Sequence, residues 1–271
     1  MQTKARTKSR GSSFPVLLIP VALVVIGLIL FAVFRGFGSK SDPCAETVAR
    51  LEAMEAADVS QVEADLDKVI EAAAAEEVDS LQEQILSGEA ILDNVAIRQA
   101  FSGTAIIGDS ITESIWEYGY LDQDVVVSHR GLSVANADEQ IDTAISLSPY
   151  VVFMAFGSND LETYEENYTP FIDAYRIQIQ KLQEALPGVP IYINLILPIQ
   201  QSAIDERPAL SYYPEYNEAL KSLCSETGCT YIDNSFITQD NQELYEPDGE
   251  HVIMEYYPKW LSYMAAIAGL V

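Results

Sequence analysis

The sequence predicts an α/β domain, with a mostly parallel five-stranded sheet between helices, preceded by a transmembrane helix and a helical stalk. Three observations predict it. From about residue 100 onward, short runs rich in β-branched and aromatic residues alternate with helical patterns. Phe14 to Phe34 is a run of 21 residues without a charge. Between the two lies a stretch rich in Ala, Glu, Leu and Val, with apolar residues at helical spacing.

Residues 1–13 are basic and polar and are expected as a cytoplasmic tail. The uncharged run, residues 14–34, spans roughly 30 Å at about 1.5 Å per residue, the thickness of a bilayer core. Pro15, Pro20 and Gly27 are tolerated in a membrane helix. The run is long for the apolar part of a secretory leader, and Phe31-Ala-Val-Phe-Arg-Gly-Phe-Gly38 offers no small-x-small cleavage site. Nor does Cys44, after Ser-Asp-Pro, look like a lipoprotein cleavage site. An uncleaved signal anchor is expected. Lys4, Arg6, Lys8 and Arg10 precede the run, and Arg35 and Lys40 follow it. The positive-inside bias places the N-terminus in the cytoplasm and the body outside, on a single-pass protein of the cell membrane.

Residues 35–100 are expected as a helical stalk. A first helix, about Ala45 to Ala57, carries Val48, Leu51 and Met54 on one face. Ser60-Gln-Val-Glu63 is a capping-box pattern that opens a second helix. Val62, Leu66, Ile70, Val78, Leu81 and Ile85 then recur at roughly helical spacing, and Ser87-Gly88 ends it. The heptad is too short and too Ala-rich to favour a coiled coil, and Gly is too sparse for a flexible linker.

The domain at residues 101–271 has strand candidates at Ala105–Ile107, Val125–Ser128, Val151–Ala155, Ile191–Ile196 and Thr230–Ile232. Helical patterns cover Ala137–Ser146, Thr169–Ala185, Glu215–Cys224 and Tyr256–Ala268.

Charge and cysteine usage narrow the function classes. The 271 residues carry a formal net charge of −26. Residues 1–40 hold six of the 15 Lys and Arg and no acid, so the rest carries nine against 41 acids, a net of −32. A body that acidic repels nucleic acid, which is excluded as a partner. The three cysteines include no pair of Cys-x-x-Cys units, so no zinc site is expected. Cys224 and Cys229 bracket a turn-like Ser-Glu-Thr-Gly and read equally as a small disulfide or as two free thiols.

Ligands of open α/β sheets bind past the carboxyl ends of the strands. Past the first strand come Gly108, Asp109 and Ser110; past the second, His129, Arg130 and Gly131; past the third, Gly157, Ser158, Asn159 and Asp160. Before the last helix come Asp248, Gly249, Glu250 and His251. Ser110 ends a short apolar run and is placed as a nucleophile that needs a base. Only two histidines are available. His251 has Asp248 three residues before it, a spacing that lets a carboxylate hold one ring nitrogen while the other faces the serine. His129 has no such neighbour and reads as a loop histidine. Backbone N–H groups at Ser110 and Gly131 and the Asn159 amide are candidate oxyanion donors.

In these four blocks the chain resembles the SGNH (GDSL-like) hydrolase family. They stand in the family's order as Gly108-Asp109-Ser110, Gly131, Gly157-Ser158-Asn159-Asp160 and Asp248-Gly249-Glu250-His251. The resemblance covers about residues 102–271. It implies a three-layer, flavodoxin-like α/β/α fold and a serine ester hydrolase using Ser110, Asp248 and His251, with Ser110, Gly131 and Asn159 as the oxyanion hole and no cofactor or metal. Where the family often has a leucine and soon a glycine after the serine, this chain has Ile111-Thr112-Glu113-Ser114. The elbow Gly-x-Ser-x-Gly of α/β-hydrolase lipases is absent.

The sequence thus describes an outward-facing esterase or acyltransferase acting on O-acyl groups, acetyl above all, with surface glycans as the expected substrate. The alternatives are a lysophospholipase or thioesterase, and a non-catalytic surface module that keeps the fold. Gln200 to Pro214, with Glu206, Arg207, Tyr212 and Tyr213, is expected as a wall or lid over the acyl pocket or as a packed loop; Trp116, Tyr118 and Tyr120 carry the same two readings.

Overall fold

A computed structural model describes residues 47–50 and 60–271. The expected tail and signal anchor (1–13 and 14–34), and most of the first stalk helix, lie outside the described residues; 47–50 are helical. Among the described residues no helix is long and apolar enough to cross a membrane.

In chain order the elements are α1 (Ser60–Ser87), α2 (Asn94–Ala100), β1 (Ala105–Gly108), α3 (Ser110–Glu117), β2 (Val126–Ser128), α4 (Asp138–Leu147) and β3 (Val152–Ala155). There follow α5 (Ser158–Tyr164), α6 (Thr169–Ala185), β4 (Ile191–Asn194), α7 (Gln201–Glu206), α8 (Tyr213–Thr227), β5 (Thr230–Ile232), α9 (Phe236–Gln239) and α10 (Tyr256–Ile267). Short 3₁₀ turns lie at Val134–Asn136, Pro208–Tyr212 and Gln242–Leu244.

The sheet has the order β2-β1-β3-β4-β5, and every pairing is parallel, where a mostly parallel sheet was expected. Alternate residues of each strand enter different layers, as the pleat requires. Ile106 and Phe153 pack with Ile97, Ile115, Trp260 and Met264, from α2, α3 and α10. Ile107, Met154 and Ile193 pack with Ile141, Ile179 and Leu220, from α4, α6 and α8. The result is three layers. The connection after β1 runs over one face and the connection after β2 over the other, so the order reverses beside β1. That reversal is where such sheets open a crevice.

Two features depart from expectation. The first is the boundary near residue 100. The compact unit runs from Val69 to Val271, and Ile85, Ile97 and Ala100 are buried in its core. The end of α1 and all of α2 belong to the body, because their apolar face covers α10 rather than facing water. The second is the short helices α3, α5 and α7. Each has eight residues or fewer, too little chain to display a helical period. Cys224 and Cys229 are free thiols, so the disulfide reading is set aside. They sit on either side of the end of α8, where Gly228 takes a left-handed conformation.

Candidate active site

Ser110 stands at the junction of β1 and α3. Gly108 closes the strand where no side chain fits: a Cβ there would lie 2.1 Å from Thr112 Oγ1 and 2.5 Å from the Ala155 carbonyl. Asp109 caps the helix, its Oδ1 accepting the Ile111 N–H at 3.1 Å. Ser110 therefore occupies the first turn of α3, where unpaired N–H groups and the helix dipole favour negative charge.

The hydroxyl of Ser110 meets Nε2 of His251 at 3.0 Å, across a sequence separation of 141 residues. The other ring nitrogen, Nδ1, meets Asp248 Oδ2 at 2.7 Å. The second carboxylate oxygen of Asp248 accepts the N–H groups of Glu250 (3.0 Å) and His251 (2.9 Å). Partial burial pulls the Asp248 carboxyl upward, but these two N–H groups and the His251 ring outweigh it and hold it below its usual range. An ionised carboxylate only accepts, so Nδ1 carries the proton and Nε2 is left free to accept from Ser110. The set can draw the proton off the serine oxygen and hold the resulting imidazolium.

Strand order brings the other candidates alongside. β2 and β3 flank β1, so Gly131 and Asn159 come to either side of Ser110. Gly131 lies in the exposed turn after β2, and Asn159 in the first turn of α5. The Asn159 amide donates to the Leu132 carbonyl at 3.3 Å, tying the two segments together and leaving a second amide hydrogen. Gly157, before it, has φ 144°, and a Cβ there would lie 2.3 Å from Ile196. His129 is exposed, and its N–H donates to the Gly108 carbonyl.

Sequence reasoning assigned no role to two buried acids beneath the site. Asp109 is 3% exposed and Asp160 0%. Asp160 Oδ2 accepts the Val134 N–H at 3.3 Å, while Oδ1 is buried without a hydrogen-bond partner. Burial pushes both carboxyls up to about 7; for Asp109 the Glu250 charge adds to this, and for Asp160 that of Asp109.

Arg207 belongs to the segment expected as a wall or lid or as a packed loop, and its partners went unforeseen. Its guanidinium pairs with Glu250, which is 8% exposed, and with Glu162 of α5 at 3.5 Å. Gln200, at the start of the same segment, donates its N–H to the Gly249 carbonyl at 2.9 Å. The segment expected as a wall, a lid or a packed loop is thus latched to the loop that carries Asp248 and His251, and through Glu162 to the helix that carries Asn159. Its partners lie 43 or more residues away in sequence, so no local pattern reveals the latch. Tyr212 and Tyr213 are partly buried against the core. Trp116, Tyr118 and Tyr120 also pack; Tyr118 sets its ring edge-on to Tyr257 at 5.3 Å. Among the described residues, no group of three or more His, Cys, Asp or Glu is arranged to hold a metal ion.

Residues 106–253 match the model of the GDSL-like Lipase/Acylhydrolase family. Among solved structures, a protein described as an acylhydrolase by resemblance, from Bacteroides fragilis, aligns with TM-score 0.50 and 17% identity, over 62% of this chain and 88% of its own. A GDSL-like lipase from Bacteroides thetaiotaomicron aligns with TM-score 0.49 and 16% identity, over 67% and 92%. A lipase/acylhydrolase from Enterococcus faecalis aligns with TM-score 0.46 and 14% identity, over 60% and 94%. No curated protein matches the chain.

Two outcomes are expected from these surroundings. In the folded chain Asp160 keeps its proton to about pH 7, against 3.8 for a free carboxyl. The folded state then binds more protons across that window, and stability falls as pH rises through it. Asp160→Asn has no such proton to lose. Its Tm, measured against that of the parent chain, should gain from pH 4 to about pH 7 and then level off; a constant difference would contradict a raised pKa at Asp160. Arg207→Gln should leave the Glu250 carboxylate buried and unpaired, lowering stability by up to about 3 kcal/mol after allowance for solvent at Arg207. Adding Glu250→Gln should restore most of it in urea unfolding, whereas simple additivity of the two losses would show that the pair is not coupled.

Proposed function

We propose a mechanism and a substrate class for this chain, which belongs to the GDSL-like lipase/acylhydrolase family and is an ester hydrolase. The observation that carries the mechanism is the unbroken line Asp248–His251–Ser110, with contacts of 2.7 and 3.0 Å. Ser110 Oγ attacks the ester carbonyl while His251 Nε2 takes its proton. The carbonyl oxygen becomes an oxyanion facing the N–H groups of Ser110 and Gly131 and the free amide hydrogen of Asn159. The imidazolium, held by Asp248, returns the proton to the departing alcohol, leaving an acyl-serine. Water, or a sugar hydroxyl in a transfer reaction, then attacks that ester; His251 takes its proton and passes it back to Ser110.

For the acyl group we favour a short one, acetyl above all. A neutral or cationic carrier for the ester is supported by charge, since a body at −32 repels an anionic polymer or an anionic lipid surface. The carrier we favour is a surface glycan, with the body held outside the cell by residues 14–34. That orientation rests on the charges flanking the uncharged run.

One experiment reads both the chemistry and the topology. A membrane-impermeant fluorophosphonate applied to intact cells should label the chain once, at Ser110, and should fail to label Ser110→Ala. Labelling only after lysis would contradict the orientation. Labelling that persists in Ser110→Ala would remove Ser110 as the nucleophile.

A further inference from the structure

Past the carboxyl ends of β4 and β5 lies a second open space, about 500 Å³, that the triad does not use. Its volume falls within the roughly 300–1,000 Å³ of small-ligand sites. Its walls include Tyr213, Tyr231, Tyr245, Glu218, Asp233 and Gln200, and no Lys or Arg. Tyr245 spends its hydroxyl on the Pro198 carbonyl, so what it has left for a ligand is ring surface. Burial pushes the Tyr231 phenol above its usual range, with Asp233, Cys224 and Glu218 adding to the effect, so it stays protonated and can donate. Asp233 uses Oδ1 on the N–H and hydroxyl of Ser235 (3.0 and 2.6 Å). Glu218 is exposed.

This combination of rings and acceptors selects a ligand chemistry. A sugar ring has a C–H face that packs on an aromatic ring and an edge of hydroxyls that donate. Hydroxyl bonds to a carboxylate are the charge-assisted kind. An acyl chain in the same place would strip water from Glu218 and Asp233 and give nothing back. A phosphate or a uronate would be repelled by the same two carboxylates.

The space also borders on the loop that carries Asp248 and His251. Gln200, one of its walls, donates its N–H to the Gly249 carbonyl at 2.9 Å, inside the loop that carries Asp248 and His251. A Cβ on Gly249 would lie 3.0 Å from the Gln200 Cβ, so the two segments are in contact. From these observations we propose that the cleft past β4 and β5 is a subsite for a neutral sugar ring, one that extends the chain from the esterified sugar held at Ser110. It rests on the reading of the chain as an esterase of glycan O-acyl groups, and it gives that reading a place for the carrier.

The test compares O-acetylated xylose, glucose and N-acetylglucosamine oligosaccharides of one to four rings with p-nitrophenyl acetate. With at least one backbone, kcat/KM should rise on adding a ring, by up to about tenfold for one stacked ring. That gain should collapse in Tyr213→Ala, and also in Glu218→Ala, where an exposed side chain puts no folding at risk. The subsite is overturned if p-nitrophenyl acetate is hydrolysed in a Ser110-dependent way but no backbone gains from a second ring. It is equally overturned if the gain survives both substitutions. Absence of Ser110-dependent hydrolysis of the small ester is a different result: it removes the esterase mechanism, and the subsite with it.

Discussion

The site depends on one closure. Ser110 and His251 are 141 residues apart and must stand 3.0 Å from each other. Ser110 is fixed by β1, between β2 and β3 in the sheet, but His251 lies on a loop beyond the last strand and has no strand to hold it. What holds it is α10. Tyr256, Tyr257 and Trp260 are buried at the start of that helix. The Tyr257 hydroxyl donates to the Ile111 carbonyl at 3.0 Å, joining the helix after the histidine to the helix of the serine. The Trp260 indole donates to Asn194 Oδ1 at 2.9 Å, at the end of β4. The loop is closed on itself as well, by the Tyr245–Val252 bridge and by the Glu246 N–H on the His251 carbonyl at 2.8 Å. Buried aromatic surface supplies the energy of docking, and the two hydrogen bonds set its register.

Acidity is the second constraint. Asp109, Asp160, Asp248, Glu162 and Glu250 crowd a site in a body that is already strongly negative. Each has its own way of avoiding an uncompensated charge. Asp248 is held ionised by N–H donors and the histidine. Glu250 is turned onto Arg207, which it shares with Glu162. Asp109 and Asp160, too buried to be paired, keep their protons up to about pH 7. Asp248 is the carboxylate that faces the imidazole, and it stays ionised there, which is what a triad acid requires.

Much of this was legible in the sequence. The five strands were placed within two residues at either end, because short β-branched runs between helical patterns admit few other readings. The four segments that meet at the site were legible for a different reason. Three of them put glycines and polar residues just past strands, with Gly108 and Gly157 where a Cβ would collide with Thr112 or Ile196, and the fourth, before α10, sets an acid three residues ahead of a histidine. What was not legible is long-range. Arg207 finds Glu250 and Glu162 only once the chain is folded, and the value of Asp160 depends on burial that no local pattern announces. The body's early start at Val69 was hidden for a related reason. Ile85 belongs to the same helical stripe as the exposed Val62 and Leu66, and the stripe alone does not say which end is covered.

The measurement that bears most directly on the proposed triad is the steady-state kinetics of Asp248→Asn beside Glu250→Gln, on a small acetyl ester. Asparagine keeps the shape of the loop but favours the wrong tautomer of His251, so kcat is expected to fall by up to about 10⁴-fold with KM little changed. Glu250, which faces Arg207, should matter far less to kcat. Near-normal turnover in Asp248→Asn, or a greater loss in Glu250→Gln, would contradict the assignment of Asp248 as the residue that orients the base.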